Sequence, residues 1–234
     1  MKGKVLSLYI NLQDKDLDLS LLKGKKLIIS LCPASINNLT EKDIKSIGEL
    51  LKKGCILGQR GNLGICKYEH KDTEPWHENV CLHNPSLSFD EQLDLMKKGK
   101  EKLKETFGKV GVYCPINHLY DVNTIKASQV LKYKYFMDLN LQGLMPYENN
   151  GLIVLPEAKL GVEGAERSSL VYTHYGDFQK KEVLEFIKNN EFVLPDKMKL
   201  GNNPESLLVI NEIKKKIRKL EKDLKILKEK YKVE

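Results

Sequence analysis

The sequence has no apolar stretch long enough to cross a membrane. Its longest apolar runs, such as residues 27–32, are far shorter than the roughly 18 residues that a membrane-spanning helix needs. Residues 5–10 are apolar apart from Ser7 and follow two lysines, but this run is too short for a secretory signal peptide and no small-residue cleavage site follows it. We therefore expect no membrane span, and we interpret residues 5–10 as part of the first strand.

Cysteines are few and odd in number. The chain has five of them and no recognisable export signal. Disulfide frameworks belong to exported proteins and use cysteines in pairs, so this pattern favours reduced thiols. The sequence therefore predicts a cytoplasmic protein.

Motifs that mark common nucleotide and metal enzymes are also missing. The sequence contains no phosphate-binding loop of the Walker type, no GxGxxG fingerprint and no HExxH. Residues 66–83 are dense in Cys, His and Glu, but their spacing matches no standard zinc finger. Two interpretations stay open: a metal site, or a loop that contains these residues without using them. The single tryptophan, Trp76, lies in this segment as a stacking platform for a sugar or as an anchor of the loop.

The formal net charge of +7 is unevenly distributed along the chain. Residues 212–234 hold ten basic and five acidic side chains, which leaves only +2 on the rest of the chain. A basic patch or stripe is the usual footprint of nucleic-acid binding, and a nearly neutral body does not provide one. We therefore expect no nucleic-acid partner.

The C-terminal segment has the repeat of a coiled coil. Its apolar residues follow an alternating spacing of three and four, which is the seam of a heptad pattern. The seam residues are Ile210, Ile213, Ile217, Leu220, Leu224, Leu227 and Tyr231. This pattern predicts a coiled-coil helix over residues 205–232 and a homo-oligomer formed through residues 207–231. The alternative is a long amphipathic helix that folds back on its own domain.

In the body of the chain, short apolar runs alternate with amphipathic stretches. Candidate strands cover residues 4–11, 26–32, 54–58, 110–114, 133–138, 151–155 and 169–174. Candidate helices cover residues 40–53, 89–107, 122–131 and 178–189. Such alternation is typical of a parallel sheet covered by helices. We therefore predict an α/β domain over residues 1–200, with a sheet that is either open or closed into a barrel.

Polar residues follow several of these strands. Active groups of parallel α/β folds lie at the carboxyl ends of the strands, so these residues are candidates for one site. The residues in question are Gln13, Asp14, Asp16, Gln59, Arg60, Asn62, Asn117, His118, Tyr120, Asp121, His174 and Asp177. Together they would form a pocket for a polar ligand such as a sugar. Individually, Asp14 and Asp121 are equally compatible with turn or capping roles, and His174 with a strand end.

The order of these features resembles the polysaccharide deacetylase (NodB-homology) family. Residues 51–61, LKKGCILGQRG, resemble the family's helix that runs into a Gly-led strand and a His-containing turn. Residues 88–108 are similar to the helix that follows, and residues 112–118, VYCPINH, stand where the family has a Pro-containing motif of its substrate groove. Residues 169–177, SLVYTHYGD, look like the late strand that ends in a catalytic histidine.

This resemblance implies a distorted (β/α) barrel of about seven parallel strands that removes acetyl groups from a carbohydrate. In the family, a divalent metal held by one Asp and two His activates a water, with an Asp as base and a His as acid. On this chain, His174 would be the catalytic acid and Asp14 the base or a metal ligand. The implied substrate-binding residues are Arg60, Asn62, Trp76, Asn117, His118, Tyr120 and Asp177.

The metal motif departs from the family's pattern. The family's two metal histidines are four residues apart, where this chain has Arg60 and Gly64. Arginine is always protonated and does not bind a divalent cation. Either a zinc-like metal is held instead by His70 and His77, or the metal has been lost together with ordinary deacetylation. The leading hypothesis is a carbohydrate deacetylase-like hydrolase. The alternative is a non-catalytic pseudo-deacetylase that binds a glycan or a protein partner and assembles through its coiled coil.

Overall fold

The computed structural model describes residues 3–62, 87–139, 145–162, 165 and 168–201, together with the single positions 217 and 220. Gly64, His70, Trp76 and His77 lie outside the described residues, and so does the predicted coiled coil over 205–232 apart from those two positions. None of the helices in the described part of the chain combines the length and apolar character that a bilayer-spanning segment needs.

The described chain contains eight strands and four α-helices. The strands are β1 (Val5–Ile10), β2 (Ile28–Leu31), β3 (Ile56–Arg60), β4 (Val110–Cys114), β5 (Tyr135–Leu139), β6 (Tyr147–Asn149), β7 (Leu152–Lys159) and β8 (Leu170–His174). The helices are α1 (Glu41–Lys52), α2 (Phe89–Phe107), α3 (Val122–Val130) and α4 (Lys181–Asn189). These elements confirm the seven predicted strands and the four predicted helices, with one further strand, β6.

Seven of the strands form a closed parallel barrel. The hydrogen-bonded order runs from β1 through β2, β3, β4, β5, β7 and β8, and β8 pairs with β1 to complete the circle. The short strand β6 pairs antiparallel with β7 and is skipped by the circle, because β5 pairs directly with β7. The sheet is therefore closed rather than open, as the family resemblance implies.

Residues of each strand alternate between the inside of the barrel and the layer under the helices. In β1, Leu6 and Leu8 pack with helix residues such as Ile47, whereas Val5 and Tyr9 belong to a separate cluster made of strand residues. Both faces of β1 are buried, which explains why it reads as a continuous apolar run rather than as an alternating one.

Local sequence signals fix the ends of the helices. Ser88 and Glu91 form a reciprocal capping box at the start of α2, and Thr40 with Asp43 does the same for α1. Gly108 follows α2 with a φ of 90°, a conformation that suits glycine and ends the helix. Helix α4 begins at residue 181 rather than at the predicted 178, because residues 175–179 form a 3-10 helix first.

The end of β3 is held in place by a buried glutamine. The Gln59 side chain donates to the carbonyl oxygens of Gly61 and Met96, at 2.8 and 3.2 Å, and accepts from the Tyr133 hydroxyl. Helix α2 approaches this amide so closely that a Cβ built on Gly99 would lie 2.6 Å from the Gln59 amide nitrogen. These contacts fix the backbone immediately before Arg60, the last residue of β3.

Candidate ligand-binding site

A pocket of about 360 Å³ lies at the carboxyl-terminal mouth of the barrel. Its lining residues are Asn11, Gln13, Asp14, Arg60, Ile116, Asn117, Lys159, His174, Gly176 and Asp177. They come from the ends of β1, β3, β7 and β8 and from the turn after β4. Five residues nominated from the sequence for catalysis or substrate binding thus line one pocket. They are Asp14, Arg60, Asn117, His174 and Asp177.

A tight turn after β1 connects Asp14 to His174. The backbone N–H of Asn11 donates to Asp14 Oδ2 at 2.7 Å, and the backbone N–H of Asp14 donates back to the Asn11 carbonyl at 3.2 Å. The side-chain amide of Asn11 donates to Nδ1 of His174 at 3.0 Å. Because an amide nitrogen only donates, Nδ1 accepts, and a neutral His174 carries its proton on Nε2. Asn11 therefore fixes both groups that the sequence nominates for catalysis.

His174 is neutral at physiological pH. Burial, followed by the charges of Arg60 and Lys159, lowers the pKa of His174 from 6.5 to about 4. Asp177 opposes this shift but does not reverse it. A neutral imidazole with Nδ1 already occupied presents an N–H to the pocket or accepts a proton after losing the Asn11 contact.

The pKa of the Asp14 carboxyl is raised above its ordinary value. Burial raises the pKa of Asp14, while the Asn11 N–H and the charge of Arg60 pull it down less strongly. A partly buried carboxyl that gives up its charge more easily than usual, next to a neutral histidine, is a pairing often found at functional sites.

Arg60 brings a nearly inaccessible positive charge into the pocket. The residue is only 6% exposed, and its guanidinium carbon lies 4.2 Å from the centre of the Tyr9 ring. This stacking on an aromatic face is a favourable cation–π arrangement. Among the described residues, Nε of Arg60 has no hydrogen-bond partner and the guanidinium has no ion pair.

Asp177, by contrast, is already paired. Its carboxylate lies 2.7 Å from Lys180 Nζ and 3.9 Å from Lys159 Nζ. Burial pushes the pKa of Asp177 upward, but the hydrogen bond from Lys180 and the charge of Lys159 outweigh it, so the pKa is lowered. Asp177 stays ionised and is largely neutralised by its lysines.

The turn after β4 has an unusual backbone. Asn117 and His118 both have a left-handed conformation, with φ of 51° and 53°. Such residues other than glycine cost about 1–2 kcal/mol each and persist where surrounding contacts hold them. The turn gives Asn117 a place in the pocket wall and directs His118 into the barrel, where its ring lies 5.2 Å from that of Tyr172.

A buried carboxyl lies one layer deeper in the barrel than the pocket. Glu157 is on β7, two residues before the pocket residue Lys159, and is completely buried. Its Oε1 is 3.9 Å from Nε2 of His118. Burial raises the pKa of Glu157 well above 4.5, against a weaker opposite pull from Ser7, so the fold favours the protonated form of this carboxyl.

Other nominated residues do not reach the pocket. Asn62 is buried and accepts a hydrogen bond from the Tyr113 hydroxyl at 3.3 Å. Tyr120 is buried too, with its ring 4.8 Å from that of Phe136. His118 lies inside the barrel, and Trp76, His70 and His77 lie outside the described residues. Sequence reasoning did not nominate Lys159 or Glu157, because the strand predicted over 151–155 stops short of them.

The described donor groups do not fit the metal that the family resemblance implies. In the described part of the chain, no three His, Cys, Asp or Glu side chains lie close enough together to hold an ion. The pocket instead contains Arg60, a group that repels cations and has no lone pair to offer. An Asp with two His is therefore not assembled from Asp14, His174 and their described neighbours.

Comparison with known proteins identifies the fold. No protein-family model matches the chain, and no curated protein matches it in sequence. Among solved structures, 4-alpha-glucanotransferase from Thermococcus litoralis superposes with a TM-score of 0.56 at 9% identity, over 82% of this chain and 38% of that one. This chain thus spans well under half of the glucanotransferase.

Two proteins named as polysaccharide deacetylases match over most of both chains. A probable polysaccharide deacetylase from Pseudomonas aeruginosa PAO1 has a TM-score of 0.52 at 10% identity, over 82% of this chain and 88% of that one. The second, a polysaccharide deacetylase of provisional assignment from Mycobacterium smegmatis, has a TM-score of 0.54 at 13% identity, over 87% of this chain and 96% of that one. The chain has the distorted (β/α)-barrel fold of these proteins, which confirms the fold implied by the sequence resemblance.

Proposed function

We propose that the barrel binds a carbohydrate in the pocket at its mouth and does not catalyse metal-dependent deacetylation. The pocket presents amide, carboxyl, imidazole and cationic groups from several strand ends, which is the composition of a site for a polar ligand. The shared fold with polysaccharide deacetylases supports a sugar as that ligand.

One observation carries this proposal: the buried guanidinium of Arg60 in the pocket, stacked on Tyr9. In the sequence resemblance this position belongs to a metal histidine. A fixed positive charge beside Asp14 and His174 disfavours a divalent cation there by like-charge repulsion. The same guanidinium is a strong donor to ligand oxygens.

Sugar binding can be tested with a matched pair of acidic-loop variants. Asp14 lines the pocket, whereas Asp18 on the same loop is exposed and outside it. For a tetrasaccharide that the wild type binds, we expect Asp14→Asn to weaken binding about tenfold, as loss of a charged hydrogen bond does. Asp18→Asn should leave the affinity unchanged. Calorimetric titration of the full chain measures both, and equal affinities would contradict the proposed pocket.

Metal content tests the second half of the proposal. The purified full chain should contain no stoichiometric zinc, cobalt or nickel, and should release no acetate from acetylated chitotetraose. Stoichiometric metal that disappears in His70→Ala but remains in His83→Ala would overturn the proposal in favour of a rebuilt metal site.

A second candidate function is metal-independent hydrolysis of an amide or ester on a sugar. The arrangement that favours it is the Asn11 bridge, which holds Asp14 and a neutral His174 in one pocket. With Nδ1 accepting from Asn11, His174 offers its Nε2–H as the proton donor, and Asp14 is the group left to act as base. Acetate release that requires His174 and persists in the presence of a chelator would establish this alternative.

We also propose that the C-terminal segment mediates self-association. The two described seam residues, Ile217 and Leu220, are helical and are 49% and 67% exposed, so in the isolated chain their apolar side chains are not covered. Leu220→Asp should abolish the oligomer in sedimentation of the full chain, while Lys219→Gln, outside the seam, should not. A full chain that sediments as a monomer would refute this.

A cytoplasmic location is the remaining proposal. Its support is chemical: Cys32, Cys55 and Cys114 are all free and buried, with no disulfide among the described residues. Cell fractionation of the tagged chain tests it directly. Recovery with the exported proteins would contradict it.

A further inference from the structure

We propose that the carbohydrate bound at the barrel mouth is acidic, and that Arg60 binds its carboxylate. This inference rests on the proposed carbohydrate-binding function and adds the chemical class of the ligand. A uronic acid residue is the simplest sugar that carries such a group.

The charges around the pocket are unequally compensated. Asp177 is held by Lys180 at 2.7 Å and is also near Lys159, so its charge is already compensated. His174 adds no charge of its own. Asp14 is engaged by the Asn11 N–H at 2.7 Å and makes no ion pair with Arg60. Arg60 is therefore the pocket cation with no described carboxylate at ion-pair distance, although its charge still lowers the pKa of Asp14.

Burying the charge of Arg60 costs free energy. A buried ion without a partner loses several kcal/mol of hydration, and proteins normally pair it or expose it. Here one face of the guanidinium packs on the Tyr9 ring, which replaces part of that hydration. The stacking leaves the N–H groups at the edge of the planar guanidinium. Nε is itself buried and without a hydrogen-bond partner among the described residues, so the terminal N–H groups are the donors that a ligand in the pocket would meet.

The guanidinium of Arg60 and a carboxylate have complementary shapes. The edge of a guanidinium matches the two oxygens of a carboxylate, and such paired hydrogen bonds are stronger than neutral ones. Lys159, partly exposed at the rim, supplies a second cation. The Nε2–H of His174 and the Asn117 amide supply neutral groups for the sugar hydroxyls. The pocket volume of about 360 Å³ lies within the usual range for small ligands.

The test compares acidic sugars with neutral ones of the same shape. The full chain is titrated calorimetrically with tetrasaccharides of galacturonate, mannuronate and glucuronate, each beside its methyl ester, and with chitotetraose and cellotetraose. We expect at least one uronate to bind tenfold or more tightly than its ester, because esterification removes the charge and keeps the ring. Arg60→Gln should weaken uronate binding about 10- to 100-fold, as expected for a charged hydrogen-bonded pair, and leave neutral sugars within about threefold.

Separate results overturn the two levels of the proposal. Neutral tetrasaccharides that bind as tightly as every uronate would refute the acidic ligand and leave carbohydrate binding standing. A folded Arg60→Gln protein that binds the uronate as well as the wild type would refute the role of Arg60. No binding by any sugar in the panel would refute the proposed function and this inference together. Should Arg60→Gln fail to fold, Arg60→Lys replaces it, since lysine keeps the charge and loses the paired hydrogen bonds. A folded Arg60→Lys protein that binds the uronate as well as the wild type would refute the role of Arg60.

Discussion

Replacing Glu157 by glutamine should give a stability advantage over the wild type that grows as the pH rises. Glu157 is fully buried inside the barrel, and burial holds its pKa well above the ordinary value of 4.5. Above that ordinary value, the unfolded chain releases a proton that the folded chain still keeps. The contribution of Glu157 to stability is therefore fully present at low pH and is lost as the pH rises toward the raised pKa of the folded state. Glu157→Gln keeps the shape of the protonated side chain and removes this dependence.

The size of the effect follows from the linkage of one proton. Each pH unit in this window changes the folding equilibrium about tenfold, so the advantage of Glu157→Gln should grow by up to about 3 kcal/mol between pH 5 and pH 7. For a chain of this size, each kcal/mol corresponds to about 2–4 °C in Tm. The difference in Tm between the two proteins should therefore widen over that range, by at most about 6–12 °C.

Urea unfolding at pH 5, 6 and 7 measures this difference directly. Glu148→Gln on β6 is the control, since its carboxyl is exposed and the same substitution there should leave the pH dependence unchanged. Curves for wild type and Glu157→Gln that stay parallel from pH 5 to pH 7 would refute a carboxyl kept neutral by burial. A variant that is less stable than the wild type at neutral pH would indicate instead an ionised Glu157 paired with a protonated His118, 3.9 Å away.

Three further predictions concern the pocket and its support. The His174 imidazole should titrate near pH 4 by NMR. Because its pKa is lowered in the folded state, its contribution to stability is present above the unfolded value of 6.5 and is lost as the pH falls toward 4. Gly99→Ala should destabilise the protein by about 1–3 kcal/mol in urea unfolding because its Cβ would meet Gln59, whereas Gly48→Ala, on an open helix face, should stabilise it by about 0.5–1 kcal/mol. Asn117→Gly should raise stability by about 1 kcal/mol by relieving the left-handed backbone, and lower sugar affinity by removing the amide; loss of stability would contradict the strain.

The barrel strands could be predicted because both of their faces are buried. The run over 169–174 corresponds to Leu170–His174, and capping residues set helix α2 at Phe89–Phe107. Strand β6 has only three residues and gives no hydrophobic signal of its own. Its turn does carry one, since Asn150 and Gly151 have φ of 49° and 80° and an Asn-Gly pair is typical of tight hairpins.

The candidate site could be predicted as far as strand ends alone define it. Asp14 and His174 follow directly from the rule that carboxyl ends of parallel strands meet at one mouth. Asn62 and Tyr120 come just after strands as well, but their side chains pack away from the mouth, and no local signal gives that direction. The positions of Glu157 and Lys159 depend on how far β7 extends beyond residue 155. Pairing of β7 with β5 and β8 sets that length, and residues 151–155 give no signal of it.

The closure of the barrel has a consequence for how the protein is made. Strand β1 is hydrogen-bonded on one side to β2 and on the other to β8, so Tyr9 must pair with His174 from the far end of the domain. During synthesis, one edge of this apolar strand stays open until residue 174 has left the ribosome. Unpaired strand edges of this kind associate with other chains. Fragments that stop before β8 should therefore aggregate rather than fold.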